Sequence, residues 1–138
     1  MAERAELDRH MEAIRLLVPL WERKFRVKGY SYTAAKTVRF EADFKCGGDY
    51  PRLNWREQLV CPVTGLNNRM RFSMHLADTF LNIRSNSKIY LMEQLTPLFR
   101  LVVRRYPSAT GSEFLGSKIP LGTHNYQGIR NEDATALT

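Results

Sequence analysis

Three carboxylate side chains, Glu93, Glu113 and Asp133, each stand near the end of a predicted strand in the second half of the chain. A carboxylate accepts two hydrogen bonds at once, which suits the adjacent hydroxyl groups of a ribose. In a parallel sheet, ligands bind outside the carboxyl ends of the strands, so the three carboxylates would line one edge. The residues therefore predict a nucleotide site, and three solvated surface acids are the alternative.

The spacing of these residues supports a nucleotide site in part. Glu113 follows Met92 by 21 residues (113 minus 92), close to the about 20 residues between a nucleotide-binding turn and the acid that holds the ribose. The glycine-rich loop that usually makes this turn is absent, because residues 93–97 read Glu-Gln-Leu-Thr-Pro.

A strand, a helix and further strands must position the carboxylates. Thr96 and Pro97 are an N-cap and a first helical residue, and Tyr106-Pro107 ends the helix. A strand followed by about ten helical residues and a second strand is the βαβ unit of a parallel sheet. The predicted elements are a buried strand at 88–92, a helix at 97–105, a strand at 109–115, a loop at 116–127 and a strand at 128–130.

The first residues of the chain predict an amphipathic helix from about residue 4 to 26. Pro19 is expected to kink this helix, and Gly29 to end the segment. The apolar stripe of the helix needs a partner surface. Its members are spaced by three or four residues: Leu7, Met11, Ile14, Val18, Trp21 and Phe25.

A small antiparallel segment and a second helix are predicted next. Apolar and polar residues alternate over 36–44, which predicts a half-buried strand, and residues 55–60 are its expected partner. Asn67 or Asn68 can cap a helix that runs to Leu81. Its buried stripe is expected to contain Met70, Met74, Ala77 and Leu81, widened by Phe72, Leu76 and Phe80.

Composition and charge limit the classes of protein to which this chain can belong. The 138 residues, 43% of them hydrophobic, are typical of one soluble domain, and no window is apolar enough to cross a membrane. With no export signal, Cys46 and Cys61 are expected to be reduced thiols in the cytoplasm. Most of the net charge of +7 lies in residues 1–75, which would suit a phosphate-rich partner.

Residues 53–138 resemble the class I S-adenosylmethionine-dependent methyltransferases of the type 11-like group, in the N-terminal part of that domain. The matching stretches are NWRE at 54–57, CPVTGLNNRMR at 61–71, IYLMEQLTP at 89–97, GSEFLG at 111–116 and GIRNEDATAL at 128–137.

The resemblance implies S-adenosylmethionine as the cofactor. It places Glu93 near the methionine part, Glu113 on the ribose and Asp133 at the adenine amino group, and Thr96 and Gly111 in the same cofactor site. In that family the enzyme mainly positions two reactants for an in-line displacement from a sulfonium. No catalytic base is assigned.

The same subgroup tends to carry a four-cysteine zinc ribbon, and this chain departs from it. Ser31 and Ala34 stand where the first cysteine pair should be, and Thr64 stands three residues after Cys61. Cys46 cannot complete a tetrahedral site, so we expect no structural zinc. The three histidines show no ligand spacing, and the one in the buried helix is expected to be a hydrogen-bonded structural residue: His10, His75 and His124.

Arginines and aromatic residues in the middle of the chain allow two interpretations. Arg56, Arg69 and Arg71 suit an anion, or they form ion pairs with Glu57 or Asp78. The aromatic residues could stack on nucleic-acid bases or pack in a core, and the core is favoured. These are Trp55, Tyr50 and Phe40, beside Arg52 and Arg39.

The sequence therefore predicts an α/β chain. Residues 1–83 form a helical and small antiparallel β region with a degenerate ribbon, and residues 84–138 form the first half of a Rossmann-like parallel sheet. The sheet is expected to be truncated, so the chain would be a fragment. The predicted function is S-adenosylmethionine-dependent transfer to a methyl acceptor, with no membrane partner. The alternative is a non-catalytic basic module that binds nucleic acid or a protein.

Overall fold

An antiparallel hairpin opens the described part of the chain. The structure is a computed structural model that describes Arg9 and residues 24–44 and 53–137. Strand β1 spans Lys24–Ser31 and strand β2 spans Lys36–Asp43, with Lys24 opposite Asp43. A 3-10 turn at Tyr32–Ala34 joins them. The strand predicted over 36–44 is confirmed, because Val38, Phe40 and Ala42 are buried while their neighbours face outward.

Two predictions for this region are wrong. Residues 24–26 belong to β1 and not to the end of a helix, and Gly29 lies inside β1. The rest of the helix predicted for residues 4–26 lies outside the described residues, apart from Arg9, which is helical. β1 alternates polar and apolar side chains as β2 does, and pairing with β2 satisfies its backbone.

The partner of β2 also differs from the prediction. Residues 55–57 form a turn, and only Val60 pairs with β2, through two backbone hydrogen bonds with Glu41 of 2.9 and 2.7 Å. Leu59 has a φ of 57°, outside the extended region that a continuous strand requires. The segment is therefore a short extension of the hairpin sheet and not a second strand.

Helix α1 spans Asn68–Phe80 and confirms the predicted helix and its cap. The side chain of Asn67 accepts a hydrogen bond from Met70 N at 2.9 Å. Met70 and Met74 are buried, but the residues expected to widen the buried stripe are not. Residues two positions apart lie about 200° apart around a helix, so Phe72 and Leu76 face away from the buried methionines. The exposed fractions are 60% for Phe72, 38% for Leu76, 73% for Phe80 and 66% for Leu81.

The second half of the chain contains a parallel strand pair joined by a helix. Strand β3 spans Tyr90–Leu91, helix α2 spans Pro97–Arg105 and strand β4 spans Thr110–Gly111. The strands pair in parallel, with Tyr90 opposite Thr110. α2 has the predicted bounds, whereas both strands are shorter than predicted. Tyr90 is exposed and Leu91 half-buried, so β3 is not the buried strand that was expected.

The third predicted strand, at 128–130, is present only as isolated pairings. Asn131 pairs in parallel with Glu113, and Arg130 pairs antiparallel with His124. The described chain is thus a mixed α/β structure with one small antiparallel sheet and one parallel pair. None of its described helices is both long and apolar enough to cross a membrane.

One hydrophobic core joins the two helices. It takes Met70 and Met74 from α1 and Leu98 and Val102 from α2, and a smaller cluster lies under the hairpin around Phe40. Asp78 of α1 accepts hydrogen bonds from Tyr32 Oη at 2.9 Å and from Arg105 at 2.8 Å. The hairpin turn, α1 and α2 are therefore held together across the domain boundary predicted at 83/84.

Candidate functional site

The carboxyl ends of β3 and β4 bring two of the predicted site residues to one edge. Glu93 follows β3 by two positions, and Glu113 follows β4 by two positions. Between them the parallel pairing continues, since Gln94 N donates to Ser112 O at 2.9 Å. Oε2 of Glu113 accepts a hydrogen bond from Leu95 N at 3.2 Å, in the loop between β3 and α2. The Glu113 carboxylate therefore lies against the loop in which the sequence placed a nucleotide.

A network from α1 fixes the first of these carboxylates. Arg69 donates to Glu93 Oε1 and also, through Nε, to Glu57 Oε1 at 3.1 Å. The hydrogen bond to Glu93 is the main cause that raises the pKa of Arg69 above its ordinary value. Asn67, the cap of α1, donates to Glu57 Oε2 at 2.7 Å. The start of α1 is thus tied directly to the end of β3.

Two buried polar atoms at this edge have no partner. Glu93 Oε2 and Ser112 Oγ are the buried side-chain oxygen or nitrogen atoms of the described residues that make no hydrogen bond. Buried polar groups are normally paired, so these two oxygens are available to hydrogen-bond donors of a ligand. Ser112 lies between Gly111 and Glu113, and both oxygens therefore belong to the carboxyl edge of the parallel pair.

Thr96 and Gly111 have structural roles in the described chain. The Thr96 hydroxyl caps α2 by accepting from Phe99 N at 3.3 Å, and it donates to Glu93 O at 3.0 Å. A Cβ atom at Gly111 would lie 2.6 Å from the Phe99 ring and 2.7 Å from Leu91 O. Only glycine lets β3, β4 and α2 approach this closely. Thr96 therefore fixes the start of α2, and Gly111 allows the close packing at this edge.

Asp133 is engaged in a turn of its own. Its Oδ1 accepts from Thr135 N at 2.8 Å and from Thr135 Oγ1 at 2.7 Å, and these bonds lower the pKa of Asp133. It lies two residues after Asn131, the residue that pairs with Glu113. The structure therefore places Asp133 beyond the same edge but shows no contact between it and Glu93 or Glu113.

Buried polar residues that the sequence analysis did not single out hold the third segment. The side chain of Asn131, fully buried, accepts from Leu115 N and donates to Ile119 O, each at 2.7 Å. Gln94 accepts from Arg130 N at 3.2 Å. The available signal in the sequence was the amide side chain itself. Their partners are 12 to 36 residues away, which sequence spacing does not identify.

The arginines of the middle region were expected either to bind an anion or to form ion pairs, and the structure shows ion pairs for two of them. Arg56 and Arg69 form the predicted ion pairs with Glu57, at 3.2 and 3.1 Å. Arg71 does not pair with an acid. It donates to the carbonyl oxygens of Leu59 and Leu66, and its guanidinium lies 4.1 Å from the centre of the Phe40 ring. Burial lowers the pKa of Arg71, and the negative charge of the nearby Cys61 thiolate acts in the opposite direction.

The structure also shows where the aromatic residues of the middle region and His75 lie. Phe40 is buried and Trp55 packs edge-on against Phe25 with ring centres 6.3 Å apart, which confirms the favoured interpretation as packing residues. Tyr50 and Arg52 lie outside the described residues. His75 is exposed on α1 and contacts the ring of Tyr32, so the expectation of a structural residue in a buried position is wrong.

The residues that stand where a zinc ribbon would have its cysteines are linked by hydrogen bonds. Ser31 Oγ lies 3.4 Å from Thr33 Oγ1 and donates to Cys61 Sγ at 3.5 Å, so the end of β1 meets the turn that contains Thr64. Within the part of the chain that the structure describes, no group of three or more His, Cys, Asp or Glu side chains could hold a metal ion.

Comparisons with protein families, with curated proteins and with solved structures find no match to this chain.

Proposed function

We propose that this chain binds S-adenosylmethionine at the carboxyl edge of β3 and β4 and serves methyl transfer from that cofactor. The observation that carries the proposal is the Glu113 carboxylate at the end of β4, held against the β3–α2 loop by Leu95 N at 3.2 Å. In parallel α/β sheets this is the place where an acid accepts the ribose hydroxyls of a nucleotide. We also propose that the pairing of Glu113 with Asn131 belongs to a Rossmann-like sheet.

The residues at the edge fit the cofactor. Glu113 uses Oε2 for Leu95 N, and its Oε1 makes no hydrogen bond to another described residue, so it can accept from a ribose hydroxyl. Glu93 Oε2 is a buried acceptor without a donor, which suits the ammonium group of the methionine part. When bound, S-adenosylmethionine supplies an electrophilic methyl group on a sulfonium. The chain would hold and orient it, which is the main contribution of a protein to such a displacement.

Calorimetry with S-adenosylhomocysteine tests the proposal. Wild-type chain is expected to bind, and Glu113→Gln is expected to bind at least about tenfold more weakly, since a hydrogen bond to a charged group contributes about 1.5–3 kcal/mol. Glutamine still accepts from Leu95 N, so the loop is preserved. Glu41→Gln is the matched control, because Glu41 is an exposed acid on the hairpin that pairs with Arg26 at 3.1 Å. No heat from wild-type chain at millimolar ligand, or equal binding by Glu113→Gln, would contradict the proposal.

A basic module for nucleic acid is the second candidate, and one observation favours it. Lys28 and Arg39 stand directly opposite each other on the exposed face of the hairpin, beside Tyr30, which is 66% exposed. Like charges in this position destabilise a sheet unless an anion lies between them. The same calorimetry separates the candidates, because a module that binds through the hairpin gives no heat with S-adenosylhomocysteine.

A further inference from the structure

From Phe72 to Phe80 the outer face of α1 carries no charged side chain. Its exposed positions are all apolar or uncharged polar residues, and the apolar ones recur every four residues along one stripe. Charged residues make up 25% of the chain, and an exposed helix face normally carries them. Such a face is typical of a surface that another apolar surface covers. The exposed residues are Phe72, Ser73, His75, Leu76, Thr79 and Phe80.

The chain enters β1 close to the first turn of α1. Lys24 stands opposite Asp43, whose backbone N–H donates to Gln58 Oε1 at 2.8 Å. The carbonyl oxygen of Gln58 in turn accepts from Asn68 N at 2.9 Å. At the other end of the hairpin, the Tyr32 ring contacts His75 in the second half of α1. β1 and α1 therefore run in the same direction, and Lys24, the first residue of β1, lies near the start of α1.

We propose that residues 7–18 cover this face as an amphipathic helix that runs antiparallel to α1. Four apolar residues of that segment, Leu7, Met11, Ile14 and Val18, recur at helical spacing. Arg9, the residue of this segment that the structure describes, is helical and exposed. It stands two residues from Leu7 and from Met11, on the opposite side of such a helix.

The two stripes match in length and in direction. Leu7 to Val18 spans about 16 Å of helix and Phe72 to Phe80 about 12 Å, at 1.5 Å per residue. In the antiparallel arrangement Val18 lies beside Phe72, Ile14 beside Leu76 and Leu7 or Met11 beside Phe80. The charged residues of the segment then remain in water, and the uncharged face of α1 is buried. This contact does not rest on the proposed cofactor site, which lies at the N-terminal end of α1, where Arg69 in the first turn meets Glu93.

Disulfide trapping in the full chain tests the proposal. In a Cys46→Ser background, Ile14→Cys with Leu76→Cys is expected to give an intramolecular disulfide under mild oxidation, seen as a monomer by non-reducing electrophoresis and mass spectrometry. Glu12→Cys with Leu76→Cys is the matched control, because residue 12 lies on the opposite side of the predicted helix. We expect at least a fivefold higher yield for the first pair. Equal yields would overturn the proposal, and a disulfide-linked dimer from the first pair would show that a second copy covers the face.

Dye binding provides a second measurement that does not depend on cysteine chemistry. Ile14→Lys is expected to uncover the face of α1 and to raise the fluorescence of an apolar dye such as anilinonaphthalene sulfonate at least twofold. Adding Phe72→Ser and Phe80→Ser to Ile14→Lys is expected to remove that increase. Circular dichroism of each variant checks that the fold is retained. An unchanged signal in folded Ile14→Lys, or an increase that the serine substitutions do not remove, would contradict the proposal.

Discussion

At the scale of single residues, Cys61 stands at a position where a zinc ribbon has a metal-binding cysteine, and here hydrogen bonds surround its thiol. The thiol is fully buried. Burial raises its pKa, but hydrogen bonds from the side chains of Ser31 and Thr64 and from the backbone of Thr64 and Val63 outweigh burial and lower the pKa to about 7. The hydrogen bonds between the hairpin and the turn at Thr64 therefore favour the thiolate form of Cys61.

The lowered pKa of Cys61 predicts a stability that depends on pH. Between pH about 7 and 9 the folded chain holds a thiolate while the unfolded chain still holds a thiol, so the unfolded state binds more protons and stability rises with pH. The free energy of unfolding of wild-type chain, minus that of Cys61→Ser, should rise by about 1–3 kcal/mol across this range. Urea denaturation at pH 6.5, 8 and 9 measures it. Parallel pH profiles of the two chains would show that the thiol does not ionise early.

At the scale of elements, α1, α2 and β2 were predicted closely, whereas the other strands were missed or predicted too long. α2 begins and ends where the sequence places it, because Thr96, Pro97 and Tyr106-Pro107 act on the backbone next to them. The predicted pairing partner of β2 was wrong, because residues 24–26 were assigned to a helix and the adjacent strand β1 was therefore not predicted. Residues 55–60 and 24–31 are both apolar enough to serve, and only the folded chain selects β1.

The cap of α2 can be separated from a ligand role for Thr96. Thr96→Ala is expected to lower the free energy of unfolding by about 1 kcal/mol, because Phe99 N loses its acceptor. Thr96→Ser keeps the hydroxyl and should stay within about 0.5 kcal/mol of wild type. Chemical denaturation of both variants measures the difference. Equal losses for serine and alanine would point to the methyl group of Thr96, and not to its cap, as the stabilising part.

At the scale of the whole molecule, the core crosses the domain boundary predicted at 83/84. Met70 and Met74 lie before that boundary, and Leu98 and Val102 lie after it, yet they form one buried cluster. The carboxyl edge of the parallel pair is also completed from the first region, through Arg69. The proposed cofactor site would therefore depend on residues of both regions.

This shared core predicts one cooperative unfolding transition. Val102→Ala in α2 should lower the stability by about 2 kcal/mol, and Val103→Ala, which alters a half-buried neighbour, should cost less. The midpoint should shift equally when followed by circular dichroism and by tryptophan fluorescence, which reports on Trp21 and Trp55 in the first region. A fluorescence midpoint that Val102→Ala leaves unchanged would show two independently folding units.

The sequence by itself determined the features that arise between neighbours in the chain. These are the two capped helices, the alternation of β2, and the candidate carboxylates at the ends of β3 and β4. Only the tertiary structure decided which segments pair, that Arg69 meets Glu93 across 24 residues, and that Phe72 and Phe80 face outward on α1. Local signals act through adjacent backbone groups, whereas these contacts depend on which surfaces meet when distant segments share a core.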